Sequence, residues 1–576
     1  MRGREGVKLD AGDAGRRVSR PTPDPGRKNS SGTLASRVRQ LARSQPERPA
    51  YLVFGGRTID WAGYDAAADR LARILLALDR GTDEPVAVWL PDGAAIHIVF
   101  QATERAGLVA LGLGARSGER ELVHLLSLAR ATTFVSAAEV GGHDTTRVVE
   151  TLRERGVPLH HHVVLEGEGE VQDPIRVDGG EPEPVDVQAL EGRALGPKDV
   201  FLLNSTSGTT GLPKIVIHDQ SRWLAFHRFA VEIGELSWDE VILSAVPAPF
   251  GFGLWTAHVT PTMLGVPTVV LPRFDARRTL EALERHRVTM LAAVSTQLSL
   301  VLESGGLDRP RALALRRVFT GGEAVPAERA RTFEERTGAC VLQFYGSNET
   351  GAVSATRPGD PAEKRFGTAG RPLSEMQLRL FDASGRDVTE SGHGRPGVRG
   401  PTLSRGYLGA PEANAELIRE DGWFMLGDLV EIDAEGYLRV VGRTDDIIIR
   451  GGKNLSAAAI ELALATHPAI ALAAAIGVED PLFGERVAAY VALRPGESLD
   501  LPVLRAHLES QGVARELWPE GLVVLSELPQ SVGGKVAKQA LREDAARRFG
   551  ATGVLGPGAP PAMGEAPGVA SDPDPV

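Results

Sequence analysis

The 576-residue sequence contains one cysteine, Cys340. An intrachain disulfide is therefore excluded, and so is a metal centre built from cysteines. No stretch approaches the roughly 18–20 consecutive apolar residues that a membrane-spanning helix requires. The early charges Arg2, Arg4, Glu5 and Lys8 are followed by no apolar core of the kind a secretory signal carries. A cytoplasmic protein is the expectation. Aromatic residues amount to 5% and positive charge is in deficit, with a net charge of -11. Nucleic acid and anionic membranes select basic surfaces, so neither is an expected partner. Lysine is the scarcest charged residue: of 64 basic residues only eight are lysine, at 8, 28, 198, 214, 364, 453, 535 and 538. A lysine standing where a motif demands one therefore carries weight.

What remains is ordinary globular composition, 42% hydrophobic and 24% charged. Residues 1–30 are rich in Arg, Gly, Pro and Asp without apolar periodicity and read as a disordered arm; residues 550–576, rich in Gly, Pro and Ala, read as a disordered tail. Between them the pattern is α/β. Residues 86–90 read as a buried strand and 94–108 as the helix after it. Similar pairs recur: strand 291–294 with a helix from Gln297, strand 317–320 with a helix from Pro326, then strand 340–345. Residues 166–197 read as an exposed excursion. A smaller unit follows, with helices near 460–466 and 502–511 and strands at 472–478, 487–493 and 523–525. The expected architecture is a large N-terminal α/β body, 31–444, and a small mobile C-terminal α+β domain, 445–549.

The segment Ser205-Thr-Ser-Gly-Thr-Thr-Gly-Leu-Pro-Lys214 lies between apolar runs at 200–203 and 215–217. Its glycines let the backbone approach a ligand, its hydroxyl and N–H groups donate, and Lys214 supplies charge, which together suit a polyphosphate. A Walker A loop is excluded, because that loop needs Gly directly before Lys and a helix after it. Here Pro213 precedes the lysine and a strand follows, so a P-loop kinase is rejected.

This segment resembles the phosphate-binding signature of the adenylate-forming superfamily: acyl- and aryl-CoA synthetases, peptide-synthetase adenylation domains and luciferases. Further blocks follow in the family's order. They are Tyr345-Gly-Ser-Asn-Glu349-Thr-Gly, Gly367-Thr-Ala-Gly-Arg-Pro372 and Arg399-Gly-Pro-Thr-Leu-Ser-Arg-Gly-Tyr407, then Gly422-Trp-Phe-Met-Leu-Gly-Asp428, Gly436-Tyr-Leu-Arg-Val-Val-Gly-Arg443-Thr-Asp445 and Gly533-Gly-Lys535. Weaker similarity begins near Ile59-Asp-Trp-Ala-Gly-Tyr64, so only the two tails fall outside the resemblance.

The resemblance implies attack of a carboxylate on the α-phosphate of MgATP, giving an acyl-adenylate and then a CoA thioester. ATP, Mg²⁺ and CoA are the implied cofactors and co-substrates. Thr206, Ser207, Gly208, Thr209, Thr210, Gly211 and Lys214 would hold the β,γ-phosphates. Glu349 would ligate Mg²⁺, a hard cation that prefers oxygen. Tyr345 and Gly346 would face adenine on one side and Gly322, Glu323 and Ala324 on the other. Asp428 would accept both ribose hydroxyls, and Arg443 would reach ribose or phosphate. Lys535 would bridge acid and α-phosphate in the transition state. Asp445 occupies the hinge position about which the C-terminal domain turns, withdrawing Lys535 and bringing Gly451 and Gly452 to the pantetheine thiol.

Some positions depart from the family pattern. Asn348 stands where Thr or Ser usually donates to the α-phosphate, Ile215 replaces a glycine, and Ala457 and Ala459 replace a Pro and a Glu. In Pro247-Ala-Pro-Phe-Gly-Phe-Gly253, Phe250 replaces a common His, as in ligases resembling benzoate-CoA ligase. Phe250, Val294, Ser295, Gly346 and Ser347 are the candidate acyl-pocket residues. They offer no cation for a second carboxylate, so an uncharged aryl, arylacrylic or medium-chain acid is expected. Two other readings stand beside this one: adenylation with a different acceptor (a carrier-protein thiol, or nitrite activation for an aryl amine), and a nucleotide binder without turnover. His160-His161-His162 reads as a surface loop, and Cys340 as core.

Overall fold

The computed structural model describes residues 32–78, 85–167, 173–206, 212–308, 312–322, 325–443, 446–450, 453–480, 483–530 and 536–549. The expected arm and tail lie outside these residues, as do Ser207, Gly208, Thr209, Thr210, Gly211, Glu323, Ala324, Asp445, Gly451, Gly452 and Lys535. A group said to lack a partner lacks one among these residues.

Continuous apolar runs rich in Val, Leu and Ile form the central strands, because strands of a parallel sheet are covered on both faces. In one sheet Ile242–Ser244, Met290–Ala292, Arg317–Gly321 and Cys340–Ser347 lie side by side, all parallel. It has nine strands in all. A second sheet of seven strands contains Val86–Trp89, Ala110–Leu113 and Val200–Ser205 in parallel, with Ile215–Asp219 returning antiparallel at its edge. A third, five-stranded sheet carries Asp428–Ile432 against Leu438–Arg443. The chain divides into two units, residues 1–445 with 529–539 and residues 446–528 with 540–576. The smaller unit pairs Ile470–Asp480 with Gly484–Leu493 in its own five-stranded sheet, covered by helices Ala457–Leu464 and Leu501–Ser510.

The strand and helix readings of the sequence correspond closely. The 94–108 helix spans Ala94–Ala106 and is closed by Gly107 in the left-handed conformation, φ 73°. The helix expected from Gln297 begins at Ser295, where the Gln297 side chain accepts from the Val294 N–H at 3.0 Å. One reading fails. His161 and His162 are not in a surface loop but in strand His161–Leu165, where His162 is buried and its Nε2 lies 2.8 Å from Ser136 Oγ. A run of three imidazoles hid the strand, because its second and third members face opposite sides. Cys340 opens its strand half-buried.

Gly370 joins the first sheet to the third. Ala369 N–H donates to Leu438 O at 2.7 Å, and Leu438 N–H returns to Gly370 O at 2.8 Å. Its φ is +74°, and a Cβ would lie 1.9 Å from the carbonyl carbon and oxygen of Ala355. Both the left-handed backbone and the overlap exclude a side chain. Gly370→Ala should therefore destabilise the larger unit by about 3 kcal/mol or more, read as a fall of several degrees in its thermal unfolding midpoint. A midpoint within about 1 °C of the parent would show that the junction yields.

Candidate active site

Topology gathers the motif residues before any side chain is considered. The four neighbouring parallel strands of the first sheet end on one edge, and the segments leaving that edge carry 247–253, 294–295, Gly322 and 345–349. The hairpin between Val200–Ser205 and Ile215–Asp219 is the glycine-rich segment. In open α/β sheets ligands bind outside the carboxyl ends of the strands, which is where these segments lie.

The fully buried Asn204, on the strand entering the glycine-rich segment, ties the two sheets together. Its Nδ2 donates to Pro249 O at 2.8 Å, and its Oδ1 accepts from Asn348 Nδ2 at 2.7 Å. The same Oδ1 lies 2.7 Å from Nε2 of His218, on the strand leaving the segment. Arg222 Nη1 lies 2.7 Å from His218 Nδ1. A guanidinium can only donate, so Nδ1 accepts and Nε2 carries the proton given to Asn204. Burial and the Arg222 charge hold the His218 pKa well below its ordinary value, which keeps the ring neutral. The amide of Asn348, expected to face phosphate, thus has one N–H engaged by Asn204. Its Oδ1 is buried without a partner, and a Cβ on Gly251 would meet it at 2.7 Å.

Lys214, Tyr407 and Glu349 form a second group. Residues 405–408 run along the outer strand of the hairpin, with Ile217 N–H donating to Gly406 O at 3.0 Å and Leu408 N–H to Ile215 O at 2.8 Å. This pairing sets the Tyr407 ring 5.2 Å beneath Lys214 Nζ. The phenol donates to Glu349 Oε1 at 2.8 Å, and burial, reinforced by the Glu349 charge, pushes its pKa up. Tyr407 therefore remains a donor at any physiological pH. Glu349 makes no ion pair among the described residues.

A third group joins Tyr345, Asp428 and Arg443. Tyr345 OH donates to Asp428 Oδ2 at 2.7 Å, and burial followed by the Asp428 charge raises its pKa well above the usual range. Arg443 pairs with Asp428 across the antiparallel strands, its Nε 3.6 Å from Oδ1. The sequence resemblance grouped these three residues, and the structure brings them together. Thr206 accompanies Lys214 at the base of the hairpin, donating its N–H to Lys214 O at 2.9 Å.

Of the candidate acyl residues, Val294 and Ser295 are buried at a helix start, Gly346 and Ser347 end their strand half-buried, and Phe250 is partly exposed. Beyond Phe250 a π-helical turn, Leu254–Val259, places Trp255 in a stack with Phe226 at 4.2 Å and Phe319 at 5.4 Å, and edge-on to Phe344 at 4.9 Å. Asp92, at the end of Val86–Trp89, accepts the Ala248 N–H at 2.8 Å and so braces the Phe250 segment. Sequence reasoning missed Asn204, His218, Arg222, Tyr407 and Asp92. Only Tyr407 lay in a matched block; the others carry no local signal, because most of their partners are distant in sequence.

Such an arrangement defines an adenylate-forming enzyme. The chain belongs to the family of AMP-binding enzymes, whose model matches residues 38–408, with the AMP-binding enzyme C-terminal domain matching 459–551. It is 30% identical over 533 residues to a medium-chain fatty-acid–CoA ligase of Escherichia coli, covering 90% of this chain and 91% of that protein. To a salicylyl-CoA synthase / salicylate adenylyltransferase of a Streptomyces species it is 33% identical over 485 residues, 83% of this chain and 87% of the relative. The ATP-bound structure of MatB from Rhodopseudomonas palustris superposes with a TM-score of 0.76 at 26% identity, covering 89% of this chain and 99% of that one. No described helix is long and apolar enough to cross a membrane.

Burial raises the Asp92 pKa from 3.8 to about 6, against the opposing pull of the Ala248 N–H. Between those values the folded chain keeps a proton that the unfolded chain has released. This group's contribution is therefore full below the ordinary carboxylate pKa and is lost as pH rises through about 6. Asp92→Asn can still accept from Ala248 and does not ionise. Relative to the parent it should gain stability on going from about pH 4 to about pH 8, as read from denaturant midpoints. An equal difference at both pH values would place the ionisation elsewhere.

Proposed function

We propose that this protein is an ATP-dependent carboxylic acid:CoA ligase working through an acyl-adenylate. The observation that carries the reading is Glu349, an acid without an ion pair among the described residues, held by Tyr407 beside Lys214 at the mouth of the glycine-rich hairpin. Among the described residues no group of three or more acids, His or Cys gathers to cage a metal. That donor set fits Mg²⁺ arriving with the phosphates and keeping most of its oxygen ligands from nucleotide and water. Glu349 would hold it, and the cation would neutralise charge on the phosphates.

The barrier to attack on the α-phosphate is charge repulsion, so the chain's task is to place donors and cations where charge develops. Thr206, Ser207, Gly208, Thr209, Thr210, Gly211 and Lys214 take the β,γ-phosphates in this reading. Tyr345 and Gly346 flank adenine with Gly322, Glu323 and Ala324, and Asp428 and Arg443 take the ribose. Lys535 pairs with the acid and α-phosphate during adenylation. Asp445 is the pivot between the two half-reactions, and Gly451 and Gly452 line the thiol's path.

The acid is an uncharged aryl, arylacrylic or medium-chain one, received by Phe250, Val294, Ser295, Gly346 and Ser347. None of these can pair with a second carboxylate, whose burial unpaired is strongly unfavourable. Two of the relatives, named for a medium-chain fatty acid and for salicylate, fall within that range. Pyrophosphate release over a panel of acids, with and without CoA, tests the reading, and uncharged acids should lead. Phe250→Ala should impair aromatic acids more than short alkyl ones. A profile led by amino acids or dicarboxylates would overturn the pocket. Release with nitrite alone, or transfer only to a carrier-protein thiol, would replace the acceptor chemistry.

Lys535→Ala should slow adenylation by at least ~10²-fold, the size expected for one preorganised charge. Thioester formation from supplied acyl-AMP should be nearly unaffected. Equal loss in both steps would reject the assignment of Lys535 to the first.

A further inference from the structure

Arg222 is 2% exposed, and no carboxylate among the described residues pairs with it. A buried guanidinium ordinarily sits against an acid, since an uncompensated charge in a protein interior is costly. Here the two acids whose charge reaches it, Asp219 and Glu349, are otherwise engaged. Asp219 accepts from Arg405 Nε at 3.1 Å and Ser221 Oγ at 2.5 Å, and the Glu349 carboxylate accepts from Tyr407. The Arg222 side chain instead meets four neutral acceptors. Nε donates to Thr402 O at 2.8 Å, Nη1 to His218 Nδ1 at 2.7 Å, and Nη2 to Asn348 O at 3.0 Å and Glu349 O at 3.5 Å.

Those acceptors come from the strand leaving the glycine-rich hairpin, from the turn carrying Glu349, and from the segment that runs on to Tyr407. The turn is pinned from its other side as well. Ser347 Oγ accepts the N–H groups of Glu349 and Thr350, both at 3.2 Å, and Ser404 N–H donates to Glu349 O at 2.7 Å. With both faces of the peptide fixed, the direction in which the Glu349 side chain leaves the backbone is fixed too. A planar fork with five donors can serve four acceptors at once, whereas an ammonium has three donors on a flexible stem.

We infer that Arg222 is a positioning residue for the metal–nucleotide site: its guanidinium fixes the Asn348–Glu349 backbone against the hairpin so that the Glu349 carboxylate is presented to the cation that accompanies the phosphates. This rests on the reading of the site as one for MgATP. Arg222 itself touches no substrate. Its contribution is carried by the three carbonyls it holds, two of them in the turn, and by the His218–Asn204 link behind them.

The test is calorimetric binding of MgATP, and of ATP in excess chelator, to the parent, Arg222→Lys, Arg222→Met and the same variants combined with Glu349→Gln. Both Arg222 variants should bind MgATP roughly tenfold more weakly, bind metal-free ATP within about twofold of the parent, and lose their effect in the Glu349→Gln background. Should Arg222→Met melt below the assay temperature, Arg222→Lys, which keeps the charge and the stem, carries the comparison. Folded variants that weaken ATP equally with and without Mg²⁺, or whose effect adds to that of Glu349→Gln, would overturn the positioning role. A parent that binds no MgATP overturns the reading of the site, and this inference with it. A parent that binds while its variants bind equally well overturns this inference alone.

Discussion

One buried amide sets the geometry on which the rest of the site depends. Asn204 stands where the seven-stranded sheet meets the loops of the nine-stranded sheet, and its donor and acceptor are both committed across that seam. Buried polar groups left unpaired cost more than a typical hydrogen bond returns, so the interior admits one register of the two sheets and penalises others. The pairing also fixes which atoms of its neighbours remain free. His218 must be neutral with its proton on Nε2, and Asn348 must turn its amide nitrogen inward. The backbone carbonyls of the turn then face Arg222, and the acid after them points away.

Much of this could be read in the chain, and the legible part has a common physical cause. The central strands declared themselves as apolar runs because both faces of a parallel sheet are covered, and helix ends declared themselves through local chemistry such as Gly107. The glycine-rich segment was visible in its own composition, and Glu349, Tyr345, Asp428 and Arg443 because they fall in ordered blocks that resemble a known family. What escaped were side chains whose meaning comes only from distant partners. Arg222 reads as one more arginine among 56, and Asn204 as a polar interruption in an apolar strand. Asp92 reads as a turn residue after Pro91. His162 was misplaced for the converse reason, a conspicuous local pattern whose third histidine is simply satisfied by Ser136.

The cations of the site divide by environment. Lys214 lies against the Tyr407 ring, where an ammonium gains from the π-face while staying able to meet a phosphate. Arg222 lies in the interior, stacked 4.9 Å from Trp223, with burial lowering its pKa to about 10, still high enough to keep it charged. Exchanging their residue types would not be neutral, since lysine lacks the planar fork that Arg222 uses and arginine lacks the compact, rotatable ammonium of Lys214.

The pairing of residues 405–408 with the hairpin has a consequence for how the chain is made. The strand Ile215–Asp219 is the outermost of its sheet, and its free side is covered only by a segment far downstream. During synthesis that side stays bare until residue 408 has emerged. At roughly 5–20 residues per second the wait is on the order of ten to forty seconds. For that time a short apolar strand edge is open to any other extended chain nearby. Its guards are its brevity and the charge of Asp219 at its end. A ribosome that stalls within the third sheet would therefore release a product whose outermost strand is paired on one side and adhesive on the other.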